Sequence, residues 1–297
     1  MKDLYTEITN NIIAQLEQGI IPWRKPWTGV RTGAISHATG RAYSLLNQML
    51  LAKPGEYITW NQCKAEGGSV KKGAKAKTVV FWKVLTREKT DDDGAIITDA
   101  NGRPVLEGLP VLRYFQVFHI DDCDGISPKW ANKLPAVAAA DERAENVLMD
   151  YVRRENISFE NVIGDKAYYA PDLDLIHLPI MEQFGSTAEY YSTAYHEATH
   201  STGHRTRLNR FDVSAAAAAF GSESYSKEEL VAEIGSACSL HELGLETPDS
   251  FRNSAAYIQS WLRVLKDDKR MIISAAARAE KAVKLIFNIK ESQADGE

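Results

Sequence analysis

The chain has 297 residues, 44% of them hydrophobic and 25% charged, with a formal net charge of −5. That length accommodates two hydrophobic cores, and the composition excludes a disordered or fibrous chain. Cys63, Cys123 and Cys238 are too few and too scattered for a disulfide framework or a cysteine zinc site, and no signal peptide or membrane-spanning run is evident. A cytoplasmic location without a membrane partner is therefore expected.

The N-terminal part is basic. Between Gly19 and Lys89, thirteen Lys or Arg stand against three Glu, a net +10 inside an acidic chain. Four of the six tryptophans (Trp23, Trp27, Trp60, Trp82) lie there with Tyr43, Tyr57 and Phe81. Cations suit phosphates and flat rings suit unpaired bases, so the stretch fits single-stranded nucleic acid. The competing reading is an aromatic core under a solvated lysine face. Two strands are expected at Val79–Val84 and Val111–Ile120, separated by an acidic, Gly-containing run at Asp91 to Gly94, continuing to Gly108, that reads as an exposed hairpin loop or an insertion. A domain boundary is expected between Asp121 and Leu134, followed by an amphipathic helix from about Pro135 through Tyr151.

Ala167–Ala170 and Leu173–Leu178 flank Pro171-Asp172 and predict a hairpin, whose edge could pair with an extended substrate. The same hairpin could equally be plain core. A helix is expected from Ser186, where Glu189 completes a capping box, to Gly203, a residue suited to a helix C-terminus. It carries Tyr195-His196-Glu197-Ala198-Thr199-His200. Residues four apart share one helix face, so His196 and His200 can present two imidazoles to one cation. Glu197 stands where a general base for an attacking water is needed. The competing reading is a surface helix whose histidines bond to backbone or solvent.

A catalytic zinc site needs a third protein ligand and an open position. His204 lies past Gly203, where the helix should stop. An extended His-Glu-x-x-His-x-x-Gly-x-x-His pattern would need histidine at Thr206, which excludes that family of sites. Glu229 is the preferred third ligand, with Glu233 on the same face as its partner in orienting a histidine or as the ligand itself; Glu228 and His204 remain alternatives. Ser226 and Glu229 also fit a capping box, in which Glu229 would only tie down a helix start. Tyr195 or Tyr225 could donate to an oxyanion. Ala215–Ala219 reads as helix or connection, and the last forty residues as helix with a polar tail from Glu291.

Four N-terminal stretches are longer and more specific: Leu16–Trp27, Gly40–Asn47, Ile58–Gln62 and Gly67–Lys75. They resemble the ArdC-type antirestriction proteins of conjugative plasmids, whose N-terminal domain is shared with TraC-type primases. That family joins a single-stranded-DNA-binding domain to a C-terminal zincin-like metallopeptidase domain, and both halves match in that order here. The resemblance implies protection of incoming plasmid DNA from host restriction.

The expected architecture is α+β in two domains: residues 1–128 binding single-stranded DNA and 135–290 forming the zincin-like domain. His196, His200 and Glu229 are expected to hold Zn²⁺, with another divalent cation such as Mn²⁺ as alternative. The substrate would be a protein or peptide, a host restriction component among the candidates. The DNA contacts expected are Trp23, Arg24, Lys25, Trp27, Arg41, Tyr43, Asn47, Trp60, Lys71, Lys72 and Lys75. The alternative function is a DNA coat that shields the strand sterically, with a structural or inactive metal site.

Overall fold

A computed structural model describes residues 3–18, 21–24, 33–51, 53–91, 95–99, 101–130, 140–211, 223–245, 261–263 and 265–290. The protein is α+β, and its contacts divide it into two compact units. One comprises Met1–Tyr57 with Ser127–Glu297, the other Ile58–Ile126. The second of these edges falls within Asp121 to Leu134, where the sequence places a domain boundary. The first 57 residues belong with the C-terminal part.

The larger unit opens with α1 (Leu4–Glu17), capped where the Asp3 carboxylate accepts from the Thr6 N–H. Ile8, Ile12, Ile13 and Leu16 recur at helical spacing and bury one face. Contacts to the C-terminal part follow: the Thr9 hydroxyl donates to the Lys269 carbonyl at 2.6 Å, and the Arg270 guanidinium lies 5.0 Å over the Tyr5 ring. A short parallel pair, β1 (Ala34–Ser36) with the start of β2 (Gly55–Thr59), is flanked by α2 (Leu45–Leu50). Gln48 on α2 bonds both the N–H and the carbonyl of Ala34, so its amide acts like a short stretch of neighbouring strand.

A buried His37–Glu56 pair anchors the return of the chain at 127–130. The Glu56 carboxylate meets His37 Nδ1 at 2.5 Å and accepts the N–H groups of Lys129 and Trp130 at 2.9 and 2.6 Å. Burial alone would raise the Glu56 pKa, yet the two backbone bonds and His37 hold it below the ordinary range. The Trp130 indole donates to the His37 carbonyl and lies against Gly40, whose φ of 68° and ring contact both exclude a side chain.

The helix that carries His196 and His200 sits in the core of this unit. α4 (Ala140–Arg154), α5 (Thr187–Ser201), α6 (Glu223–Leu243) and α7 (Met271–Ile286) pack with a three-stranded sheet ordered β7 (Ser158–Val162), β9 (Leu175–Pro179), β8 (Tyr168–Ala170). The expected hairpin is β8–β9, antiparallel, but β7 adds a parallel strand on the other side of β9. That addition explains why β9 reads as nearly continuous hydrophobic sequence: it is the central strand. Leu148, Tyr151, Ile176, Leu178, Tyr191, Tyr195 and Ile286 meet in one cluster. The expected helix near Pro135 is seen from Ala140. Its first residues, the Ala215–Ala219 run and the tail from Glu291 lie outside the described residues.

The smaller unit is α3 (Trp60–Ala65), a β3 (Ser69–Val70)–β6 (Cys123–Asp124) ladder, and a long antiparallel hairpin of β4 (Lys77–Glu88) and β5 (Leu106–His119). Both expected strands are present and run several residues longer. Thr59 and Gln62 form a reciprocal capping box at the start of α3. Ile58, Cys63, Phe118, Ile120 and Cys123 form its small core. Among the described residues no helix is long and apolar enough to cross a membrane.

Candidate functional site

α5 begins as its sequence demands. Ser186 caps it by accepting the Glu189 N–H at 3.2 Å, while the Glu189 carboxylate accepts from Gly185 one residue earlier than a capping box would have it. The helix ends at Ser201, and Gly203 follows because Phe211 fills the space its Cβ would take. Between these ends His196 and His200 project together, their Nε2 atoms 3.1 Å apart.

α6 supplies the carboxylates. Glu229 Oε2 lies 3.6 Å from His196 Nε2, and Glu229 Oε1 lies 3.3 Å from His200 Nε2. A tetrahedral ion with bonds of about 2.0–2.1 Å sets its ligand atoms about 3.3 Å apart. The three residues can therefore hold one divalent cation, and they are the cluster of metal-ligating groups among the described residues. Burial would raise the Glu229 pKa, but hydrogen bonds to His196 and His200 bring it far below the carboxylate range. Burial likewise opposes charge on His200; its bonds to Glu228 and Glu229 outweigh that and push its pKa up to about 10. The two shifts are reciprocal: the carboxylates favour the charged imidazole, and the imidazoles favour the charged carboxylate.

The outward Nδ1 atoms also meet carboxylates: His200 with Glu228 at 3.5 Å, and His196 with Glu233 at 4.0 Å. Such partners orient a ligating imidazole and leave its other nitrogen free to bind. Glu228 is itself held by Arg210 at 2.6 Å, a link that sequence reasoning missed because Arg210 stands in a loop with no motif. The helix α6 starts at Glu223, so Glu229 lies in its second turn and the Ser226–Glu229 capping-box reading does not hold.

Gly235 permits this meeting of helices. A Cβ there would lie 2.6 Å from Thr199 Cγ2, so only glycine lets α6 approach α5 this closely. The loop after α5 is fixed by Arg207, which donates to the Ser201 carbonyl at 2.8 Å and pairs with Asp174, itself bonded by the Tyr169 hydroxyl. His204 turns to Thr206 and Asp174 and stays out of the metal cluster. Glu197 is buried on α5 beside the histidines. Tyr195 is not available to an oxyanion: it is fully buried, stacks on Phe287 and donates to the Ala144 carbonyl at 2.8 Å. The Tyr225 side chain lies outside the described residues.

The expected DNA contacts separate. Arg41, Trp60, Lys71, Lys72 and Lys75 are exposed. Trp23 is 1% exposed and packs edge-on against Trp261, so it is core, where no base can reach it. Asn47 is buried too, and Tyr43 is half-buried, its pKa pushed to about 12 by burial and by Tyr57. Lys25, Trp27 and the Arg24 side chain lie outside the described residues.

A His-Glu-x-x-His helix meeting a glutamate on a second helix beside a small sheet defines a zincin-like domain, and the family described as a zincin-like metallopeptidase matches residues 145–278. The N-terminal domain of anti-restriction factor ArdC matches residues 2–118. The crystal structure of antirestriction ArdC protein from the R388 plasmid, Mn(II)-bound, is 35% identical and covers 97% of this chain and 98% of its own, with a TM-score of 0.71. Its metal-free form is 33% identical over 96% and 97%, with a TM-score of 0.70. The chain belongs to the ArdC antirestriction family. It is also 36% identical to DNA primase TraC of Escherichia coli over 304 residues, which span 98% of this chain and 20% of the primase.

Proposed function

We propose that this protein binds single-stranded DNA through its N-terminal family domain and carries a divalent-metal peptidase site, together protecting incoming plasmid DNA from restriction during conjugation. The convergence of His196, His200 and Glu229 carries the reading, because core packing alone gives no reason to gather two imidazoles and three carboxylates at one point. The Mn(II) held by the R388 relative supports a divalent ion. Zinc is the ion proposed, since two imidazoles and a carboxylate with an open position are the donor set of zinc hydrolases; manganese is the alternative.

A divalent cation bound there supplies Lewis acidity toward a peptide carbonyl. His196, His200 and Glu229 hold it, while Glu228 and Glu233 orient the imidazoles through Nδ1. Glu197 takes the proton from the attacking water and returns it to the leaving amine. Among the described residues β8 is an edge strand, and its outer side suits an extended peptide. The substrate proposed is a host protein of the restriction machinery.

The test compares transfer of an unmodified plasmid into a restricting host with wild type and Glu197→Ala at matched protein levels. A general base contributes typically about 10²–10⁴ in rate, so the variant should keep its metal and fold and lose protection. If Glu197→Ala protects as well as wild type, the peptidase reading fails and protection is a steric coat.

A further inference from the structure

The β4–β5 hairpin exposes aromatic side chains on both of its faces. Val79 and Val80 are buried at its base, but beyond them Phe81 is 37%, Trp82 49%, Tyr114 44% and Phe115 54% exposed. The register puts Phe81 opposite Arg113 and Val79 opposite Phe115, which places the two Phe rings and Arg113 on one face. The rings stack with centroids 5.0 Å apart and planes within 10°. Lys83 follows two residues on, on the same face and exposed. Trp82 and Tyr114 occupy the opposite face.

So much exposed aromatic surface on a long hairpin costs solubility unless a partner covers it. Charge says what the partner is. From Lys71 to Arg87 there are six Lys or Arg and no acidic residue, and from Gly108 to Ile120 the sole charged residue of these types is Arg113. Asp91, past the end of β4, is exposed and repels phosphate, which limits the track to the basic middle and base of the hairpin. At the base Trp60 is also exposed, with the Lys64 ammonium 5.3 Å from its ring centroid.

We infer that the β4–β5 hairpin is a stacking platform for single-stranded nucleic acid: unpaired bases lie on Phe81–Phe115 and on Trp82 and Tyr114, and phosphates lie on Lys83 and Arg113. The inference rests on the DNA-binding reading above and locates it on residues that the basic N-terminal stretch only partly includes. A duplex, with its rings stacked inside, offers these side chains nothing.

The experiment measures anisotropy of a fluorescein-labelled oligothymidylate with the full chain at several salt concentrations. Phe81→Ala with Phe115→Ala should weaken binding at least about tenfold. Lys83→Gln with Arg113→Gln should lower the slope of log affinity on log salt by about 1.4, two phosphates at about 0.7 each. Because these side chains are exposed, melting temperatures should match wild type. If wild type binds and both variants bind equally well, the hairpin inference is overturned and the DNA-binding reading survives. If wild type itself does not bind, both fall. Sedimentation velocity supplies the last check: a wild-type dimer that the Phe variant dissolves would assign the face to a second copy and overturn the inference.

Discussion

At the scale of single residues, the site turns on which glutamate the helix geometry selects. Glu228, Glu229 and Glu233 all lie within 4.0 Å of a histidine nitrogen, but only Glu229 approaches the two Nε2 atoms that face each other. Glu229→Ala should therefore lose metal by elemental analysis almost as completely as His196→Ala or His200→Ala. Glu233→Ala and Glu228→Gln should retain the ion with affinity weakened about 10–100-fold, the usual cost of removing an orienting partner. A Glu233→Ala loss larger than that of Glu229→Ala would exchange their roles. Spacing in the sequence could name both glutamates as sharing a face; it could not say which oxygen reaches which nitrogen.

At the scale of elements, the site depends on the closeness of α5 and α6. Thr199 lies on α5 one residue from His200, and Gly235 lies on α6 six residues after Glu229. A methyl at Gly235 must push the helices apart, since its nearest neighbours are Thr199 Cγ2 and Oγ1 at 2.6 and 2.7 Å. Gly235→Ala should destabilise the protein by about 1–3 kcal/mol and weaken metal binding with it. Thr199→Ala removes the opposing atoms, so the double variant should recover both the urea midpoint and the metal content relative to Gly235→Ala. No recovery would show that the clash lies elsewhere. The start of α5 was legible because Ser186 caps it locally. The strand β7 was not, because its residues are mostly exposed and lack alternation; only pairing with β9 makes it a strand.

At the scale of the whole molecule, family boundaries and packing boundaries differ. The ArdC N-terminal domain spans 2–118, yet residues 1–57 pack with 127–297 while 58–126 form their own unit. α1 buries Ile8, Ile12 and Leu16, the Leu45 N–H bonds the Glu280 carboxylate at 2.8 Å, and Trp23 covers Trp261. A chain lacking residues 1–57 exposes these apolar partners in the zincin-like part. It should melt at a markedly lower temperature and bind a hydrophobic dye, even though every proposed metal ligand is still present. A truncated chain that melts like wild type would show that the N-terminal segment adds no stability.

The His-Glu-x-x-His spacing, the capped start of α5, the long strands β4 and β5 and the basic, aromatic bias were written in the sequence itself. Each is a local pattern, set within a few residues by helix or strand periodicity or by charge. Tertiary structure alone decided the rest. It brought Glu229 to the two Nε2 atoms, withdrew Trp23 and Asn47 into the core and Tyr195 from the site, paired His37 with Glu56, and tied the first 57 residues to the C-terminal helices. These outcomes depend on which faces meet across tens to hundreds of residues, where one glycine such as Gly235 can set a distance that no local pattern encodes.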